Sequence, residues 1–131
     1  MAKRVDDPVA LVDRYLELSA AGDLRASAGF LVDAPLLVWP GGRRYDSLAE
    51  ARGDTGRRFR AIAKRRDVYD VAPRADGVVV VVSSGTLLGE TAAGERFSGI
   101  RYLDRLVVRD GRIAEQHVFN DIAVSGLEVP S

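Results

Sequence analysis

His117 is the only histidine in the chain, and it sits on a stretch, Phe97 to Asp121, that also carries Asp104 and Gln116. An aspartate and a histidine within hydrogen-bond reach form a candidate acid–base pair. Whether these two meet depends on how the stretch pairs with itself. Two runs rich in Ile, Leu, Val, Tyr and Phe flank Arg109-Asp110-Gly111, which predicts a long antiparallel hairpin. A three-residue loop with Gly111 in the left-handed region places Val108 opposite Arg112 and Asp104 opposite Gln116. Tyr102 then lies opposite Val118, and Ile100 opposite Asn120. The other face pairs Val107 with Ile113 and Arg105 with Glu115. A two-residue Asp-Gly turn instead brings Asp104 opposite His117. The first register is expected, because it sorts apolar and ionic pairs better; it turns Asp104 and Gln116 to one face and His117 to the other.

A second polar group worth positioning is the hydroxyl of Tyr15, in the middle of a helical apolar stripe. Asp7 as N-cap and Pro8 at the first helical position open that helix. Leu11, Val12, Tyr15, Leu16 and Ser19 recur at helical spacing, and Gly22 ends the run. Asp23 caps a shorter helix to about Leu31. Pro35 to Trp39 reads as a short strand stopped by Pro40-Gly41-Gly42. Ser47-x-x-Glu50 is a capping box. It predicts a third helix with Leu48, Thr55, Phe59 and Ile62 buried and a solvated basic face of Arg57, Arg58, Arg60, Lys64, Arg65 and Arg66. Strands follow at Val68 to Ala72 and Val78 to Glu90, with Gly85 marking a bulge or bend. Helices first and antiparallel strands last make an α+β domain.

Composition narrows the chemistry. The 131 residues suit one domain spanning 1–131. Nineteen basic residues balance nineteen acidic ones, so global charge gives no reason to expect nucleic acid or an anionic membrane as partner. The absence of cysteine removes thiolate nucleophiles, disulfides and cysteine–metal sites, and a single histidine removes a multi-histidine metal site. No cofactor motif, phosphate loop or nucleophile elbow is present. The N-terminal stretch lacks the apolar run of a secretory signal, and Val78 to Val82 is too short to span a bilayer. A cytoplasmic protein is expected. Seventeen of the nineteen basic residues are Arg, beside much Ala, Gly and Val, as in a GC-rich bacterial coding sequence.

Val12-Asp13-Arg14-Tyr15, the Ala21-Gly22-Asp23 turn, the Trp39-Pro40-Gly41 loop and the ending V-R-D-G-R-I-A-E-Q together resemble the nuclear transport factor 2-like superfamily over residues 7 to 122. That superfamily includes ketosteroid isomerases, SnoaL-like polyketide cyclases and limonene epoxide hydrolases. The resemblance implies three helices packed in a strongly curved antiparallel sheet, a cone with an apolar interior. It matches Tyr15 and Asp104 to the isomerases' oxyanion-binding tyrosine and aspartic acid, the latter kept protonated by its apolar surroundings. The isomerase general base falls on Trp39, which accepts no proton. The epoxide hydrolase Asp and Arg fall on Thr86 and Ser84, and its C-terminal-strand Asp on Val118, so that chemistry is not implied.

On this reading Tyr15 and Asp104 are the candidate catalytic residues. Trp39, Phe59, Thr86, Leu88, Ile100, Tyr102, Leu106, Gln116, Val118 and Asn120 are the candidate ligand-binding residues, with Leu36 and Val38 beside them in the cone. The expected function is a cofactor-independent isomerase, cyclase or dehydratase acting on an apolar carbonyl compound of polyketide or terpenoid type. A non-catalytic carrier or a dimerisation module of the same fold is the alternative, with Tyr15 a core tyrosine and Asp104 paired on the sheet. An outer face carrying Leu103, Val107, Ile113 and Phe119 predicts a homodimer through the sheet.

Overall fold

The computed structural model describes residues 7–130. Helix α1 (Pro8–Ala20) and helix α2 (Leu24–Ala28) start the chain. Strands β1 (Leu31–Trp39) and β2 (Arg43–Tyr45) follow, then helix α3 (Leu48–Arg58). Strands β3 (Phe59–Pro73), β4 (Val78–Thr91), β5 (Arg96–Arg109) and β6 (Arg112–Asn120) complete the sheet, and a single 3₁₀ turn covers Ile122–Val124. The six strands form one sheet in the order β2-β1-β6-β5-β4-β3. The α+β class is therefore as expected, but the sheet is mixed: β1 runs parallel to β6, while the other neighbours are antiparallel.

Helix starts follow local side-chain chemistry. Asp7 accepts from the backbone N–H groups of Val9 and Ala10, Asp23 from Ala26 and Ser47 from Glu50, so each helix has orphan donors satisfied. Glu50 returns the Ser47 bond by accepting from the Asp46 N–H. Leu11, Val12, Tyr15 and Leu16 of α1 are buried against Leu37, Val81, Leu106, Val108 and Ile113 of the sheet. Among the described residues no helix is long and apolar enough to cross a membrane.

Several boundaries differ from the sequence expectation, first that of α2, which ends at Ala28 rather than about Leu31. Helix α3 stops at Arg58, and Phe59 to Arg66 belong to β3, where Ile62, Lys64 and Arg66 alternate with more exposed Ala61, Ala63 and Arg65. Gly53 and Gly56 weaken the helix, and pairing with β4 continues the chain as strand. Strand β1 begins at Leu31 rather than Pro35. Its phase is also reversed: Leu37 is fully buried and Trp39 faces inward, while Leu36 and Val38 lie on the alternate face.

The β5–β6 hairpin follows neither expected register. Its loop is the two-residue turn Asp110-Gly111, both with positive φ (51° and 78°), and Arg109 pairs with Arg112. A bulge between Val107 and Val108 then inserts one extra residue on β6. Beyond it Leu106 lies opposite Gln116, Asp104 opposite Val118 and Tyr102 opposite Asn120. Turn and bulge together displace the pairing by two residues from the expected one, so parity is retained. Asp104 and Gln116 share the inner face, and His117 sits opposite Arg105 on the outer one. The bulge also turns Ile113 into the core with Val108.

Glycine shapes the sheet where β3 crosses β4. A Cβ on Gly85 would lie 2.0 Å from the Arg65 carbonyl oxygen, next to the register shift between Arg66 and Val68. Only glycine allows that approach.

Candidate functional site

A cavity of about 530 Å³ lies between α1, α3 and the inner face of the sheet. Leu16, Leu48, Phe59, Ile62, Leu87 and Val118 give it apolar walls, and Leu127 and Val129 of the C-terminal tail complete the lining. Such a volume, with mostly apolar walls and polar side chains set among them, is the usual form of a small-molecule site. Of the residues expected from the sequence, Tyr15, Trp39, Phe59, Tyr102, Gln116, Val118 and Asn120 line this space.

Other expected lining residues lie elsewhere. Strand β4 presents Leu87, not Thr86 or Leu88, to the cavity, and Leu88 is 39% exposed. The run Val78 to Val82 is apolar at every position and fixes no phase, so the inner face follows from pairing instead. Ile100 pairs with Leu87 but does not form part of the wall. Leu106 is fully buried in the core cluster, behind the cavity. Asp104 is likewise fully buried and does not reach the wall.

What reaches the wall in its place is Lys64. Its ammonium donates to Asp104 Oδ2 and forms the only ion pair with a fully buried carboxylate among the described residues. The same ammonium lies 5.3 Å from the centre of the Tyr102 ring, a cation–π distance. The second oxygen, Asp104 Oδ1, is buried without a hydrogen-bond partner. Burial pushes the Asp104 carboxyl above the usual carboxylate range, and the charge and hydrogen bond of Lys64, then the Gln116 amide, pull it back.

Beside this pair, Tyr15 donates its hydroxyl proton to Gln116 Oε1 at 2.5 Å. Burial, then the charge of Asp104, raises the Tyr15 pKa well above that of a free phenol, so the group stays protonated and can donate. Tyr102 reaches Ser83 Oγ at 3.0 Å. Asp104, an oxyanion donor in the resemblance, thus lies behind the wall: Lys64 faces the cavity and Asp104 holds it from below, while the Tyr15 hydroxyl lines the cavity with its proton on Gln116. The capping box and the basic run after it predict a solvated helical face for Lys64; its alternation with Ile62 and Arg66 is the signal that places it on a strand.

His117 is outside the site. Its Nε2 lies 2.9 Å from Glu115 Oε1 on the outer face, so no Asp104–His117 pair forms. A further polar cluster sits along the inner face, where Asp13 Oδ1 accepts from Arg66 Nε at 2.8 Å and from the Tyr69 hydroxyl at 2.5 Å. The Tyr69 hydrogen bond lowers the Asp13 pKa most, with Arg66 adding to it. Among the described residues, no group of three or more His, Cys, Asp or Glu side chains could hold a metal ion.

No protein-family model and no curated protein sequence matches the chain. Solved structures do. An NTF2-like protein from Burkholderia thailandensis superposes with a TM-score of 0.74 at 18% identity, covering 95% of this chain and 100% of that one. The fold is that of the nuclear transport factor 2-like proteins. Within that fold, a protein assigned as a SnoaL-like polyketide cyclase from Jannaschia sp. CCS1 aligns with a TM-score of 0.70 at 14% identity, over 93% of this chain and 94% of that one. TerC, co-crystallised with polyporic acid, aligns at 0.71 with 13% identity, over 88% and 92%. The NTF2-like cone explains why the sheet leaves a cavity on its inner face that α1 and α3 close.

Proposed function

We propose that this chain is an enzyme working without metal or organic cofactor, and that it cyclises, isomerises or dehydrates an apolar carbonyl compound of polyketide type. The observation that carries this reading is the Lys64–Asp104 pair, set beside Tyr15 in an otherwise largely apolar cavity. The polyketide cyclases among the structural neighbours support the substrate class.

The chemistry follows from what lines the cavity. Lysine, arginine and tyrosine are the titratable side chains there; among the described residues no carboxylate or imidazole reaches the wall. A strong protein base is therefore missing, and the carbon acid must ionise readily, as the carbon between two carbonyls does. Water takes that proton. The Lys64 ammonium stabilises the enolate oxygen, and the Tyr15 hydroxyl joins it by exchanging its bond to Gln116 Oε1 for one to the ligand; a low dielectric strengthens each charge-assisted bond. In cyclisation the enolate carbon attacks a second carbonyl carbon, and Lys64 gives a proton to the resulting alkoxide. In dehydration Lys64 protonates the departing hydroxyl, and water leaves. Asp104 keeps the ammonium in place.

The test is dehydration of a naphthyl 2-(1-hydroxyethyl)-1,3-diketone, whose acidic carbon lies between two carbonyls, to its alkylidene diketone, followed by absorbance. The wild type should exceed Lys64→Met by about 10²-fold or more. Equal rates, with the diketone shown to bind, would overturn the reading and leave a carrier.

A further inference from the structure

Among the described residues, the cationic side chains that line the cavity are Arg43, Arg52, Arg58 and Lys64, and no Asp or Glu lines it. In a chain with equal numbers of acidic and basic residues this is a segregation of charge. The four lie at different depths. Lys64 is committed to Asp104 in the interior. Arg43 and Arg52 are exposed at the rim, and Arg58 at the end of α3 is half-buried.

Arg58 is the half-buried one of them that has no carboxylate ion-pair partner among the described residues. Its Nε donates to the backbone carbonyl of Pro130 at 2.9 Å. Arg52 likewise donates to a backbone carbonyl, that of Ser19, at 3.2 Å. A guanidinium carries five donors in a planar fork that matches an oxyanion. Burial and then the neighbouring charge of Arg43 both depress the Arg58 pKa, the mark of a cation held where its own surroundings disfavour it. Arg43 shares Asp54 with Arg57, so that carboxylate already serves two arginines.

We propose that the cavity takes an amphipathic ligand whose apolar body fills the interior and whose single oxyanionic end, a carboxylate, sulfate or phosphate, rests at the mouth on Arg58 with Arg43 and Arg52 around it. This rests on the reading of the cavity as a ligand site and adds the substrate's charged end. It also orients the substrate, because the oxyanion at the mouth directs the other end of the molecule toward Lys64 and Tyr15. The apolar lining between the two ends sets the length of the uncharged body.

Trp39 lines the cavity and is the sole tryptophan, so its emission reports occupancy of the full-length chain. The probes are decanoate, decyl sulfate, decanol and decylamine, each below its micelle concentration. Decanoate and decyl sulfate should bind at least about tenfold more tightly than decanol, with decylamine weakest, and the advantage should shrink as salt is added. In Arg58→Gln the two anions should fall toward the decanol value, while Arg58→Lys should retain most of the preference; circular dichroism confirms that both variants are folded. Decanoate ahead of decyl sulfate would assign the end as a carboxylate, and the reverse order as a sulfate or phosphate ester; either order supports the proposal. Decanol binding as tightly as the anions in the wild type would overturn the charged end and leave the cavity reading standing. An anion preference unchanged in Arg58→Gln would overturn the assigned residue. If none of the probes altered Trp39 emission, both this proposal and the ligand reading beneath it would fall.

Discussion

Lys64 on β3 donates to Asp104 on β5 across the intervening strand β4, and Asp104 is wholly withdrawn from solvent. The relation carries a pH signature. Burial raises the folded-state pKa of Asp104 above its ordinary 3.8. In the window between the two values the native state binds more protons than the unfolded state, so stability falls as pH rises through it. Asp104→Asn cannot ionise and should lack that decline. Melting temperatures of the two proteins from pH 3.5 to 8 should therefore show the wild type losing ground to the variant as pH rises. Parallel profiles would mean that Lys64 fully offsets the burial of the charge.

Tyr15→Phe removes the donor that Gln116 Oε1 accepts from and leaves that oxygen in a dry site. The expected cost is about 1–3 kcal/mol of stability, read from urea unfolding. Ligand affinity should fall as well, since the same hydroxyl faces the cavity.

Gly85→Ala forces a Cβ to 2.0 Å from the Arg65 carbonyl oxygen, a backbone atom with little room to move. We expect a loss of about 3 kcal/mol, or failure to fold. Gly53→Ala is the control: it lies inside α3 with nothing within 4 Å of the new Cβ, and should gain about 1 kcal/mol. Thermal melts of the two variants should move in opposite directions.

Leu103 and Phe119 lie directly opposite each other on the outer face, 41% and 56% exposed, and Val68 at 45% continues the row through Ser84. The patch is smaller than the sequence implied, because Ile113 turns into the core and Val107, between Val80 and Glu115 on its neighbouring strands, is 1% exposed. We propose that two copies pair through this row about a two-fold axis. Light scattering should give a dimer at high micromolar concentration and a monomer for Phe119→Lys; a monomeric wild type would contradict it.

The parts of this account that were legible in the sequence are those where one residue dictates local geometry. Asp7-Pro8, Ser47 with Glu50, and Gly111 each mark their element, because caps and positive-φ turns depend on near neighbours. Phase was less accessible. The inner face of β4 is hidden by five consecutive valines, and the facing of Leu36 and Val38 depends on a parallel pairing that only the folded sheet supplies. The hairpin shows the limit most clearly: its loop is one residue shorter than expected, and the bulge near Ala114 restores the parity that keeps Asp104 and Gln116 together. Lys64 was missed because a run of arginines after a capping box reads as a helical face, whereas the tertiary context extends β3 through it.

The most direct measurement of the central claim, that Lys64 and Tyr15 stabilise negative charge on a ligand oxygen inside the cavity, is a binding series of flat, uncharged phenols of increasing acidity, read by Trp39 emission. The account predicts that affinity for the wild type rises with acidity, that Lys64→Met flattens the dependence, and that Asp104→Asn, which frees the ammonium, weakens it partially. A dependence absent from the wild type, or equally steep in Lys64→Met, would contradict it.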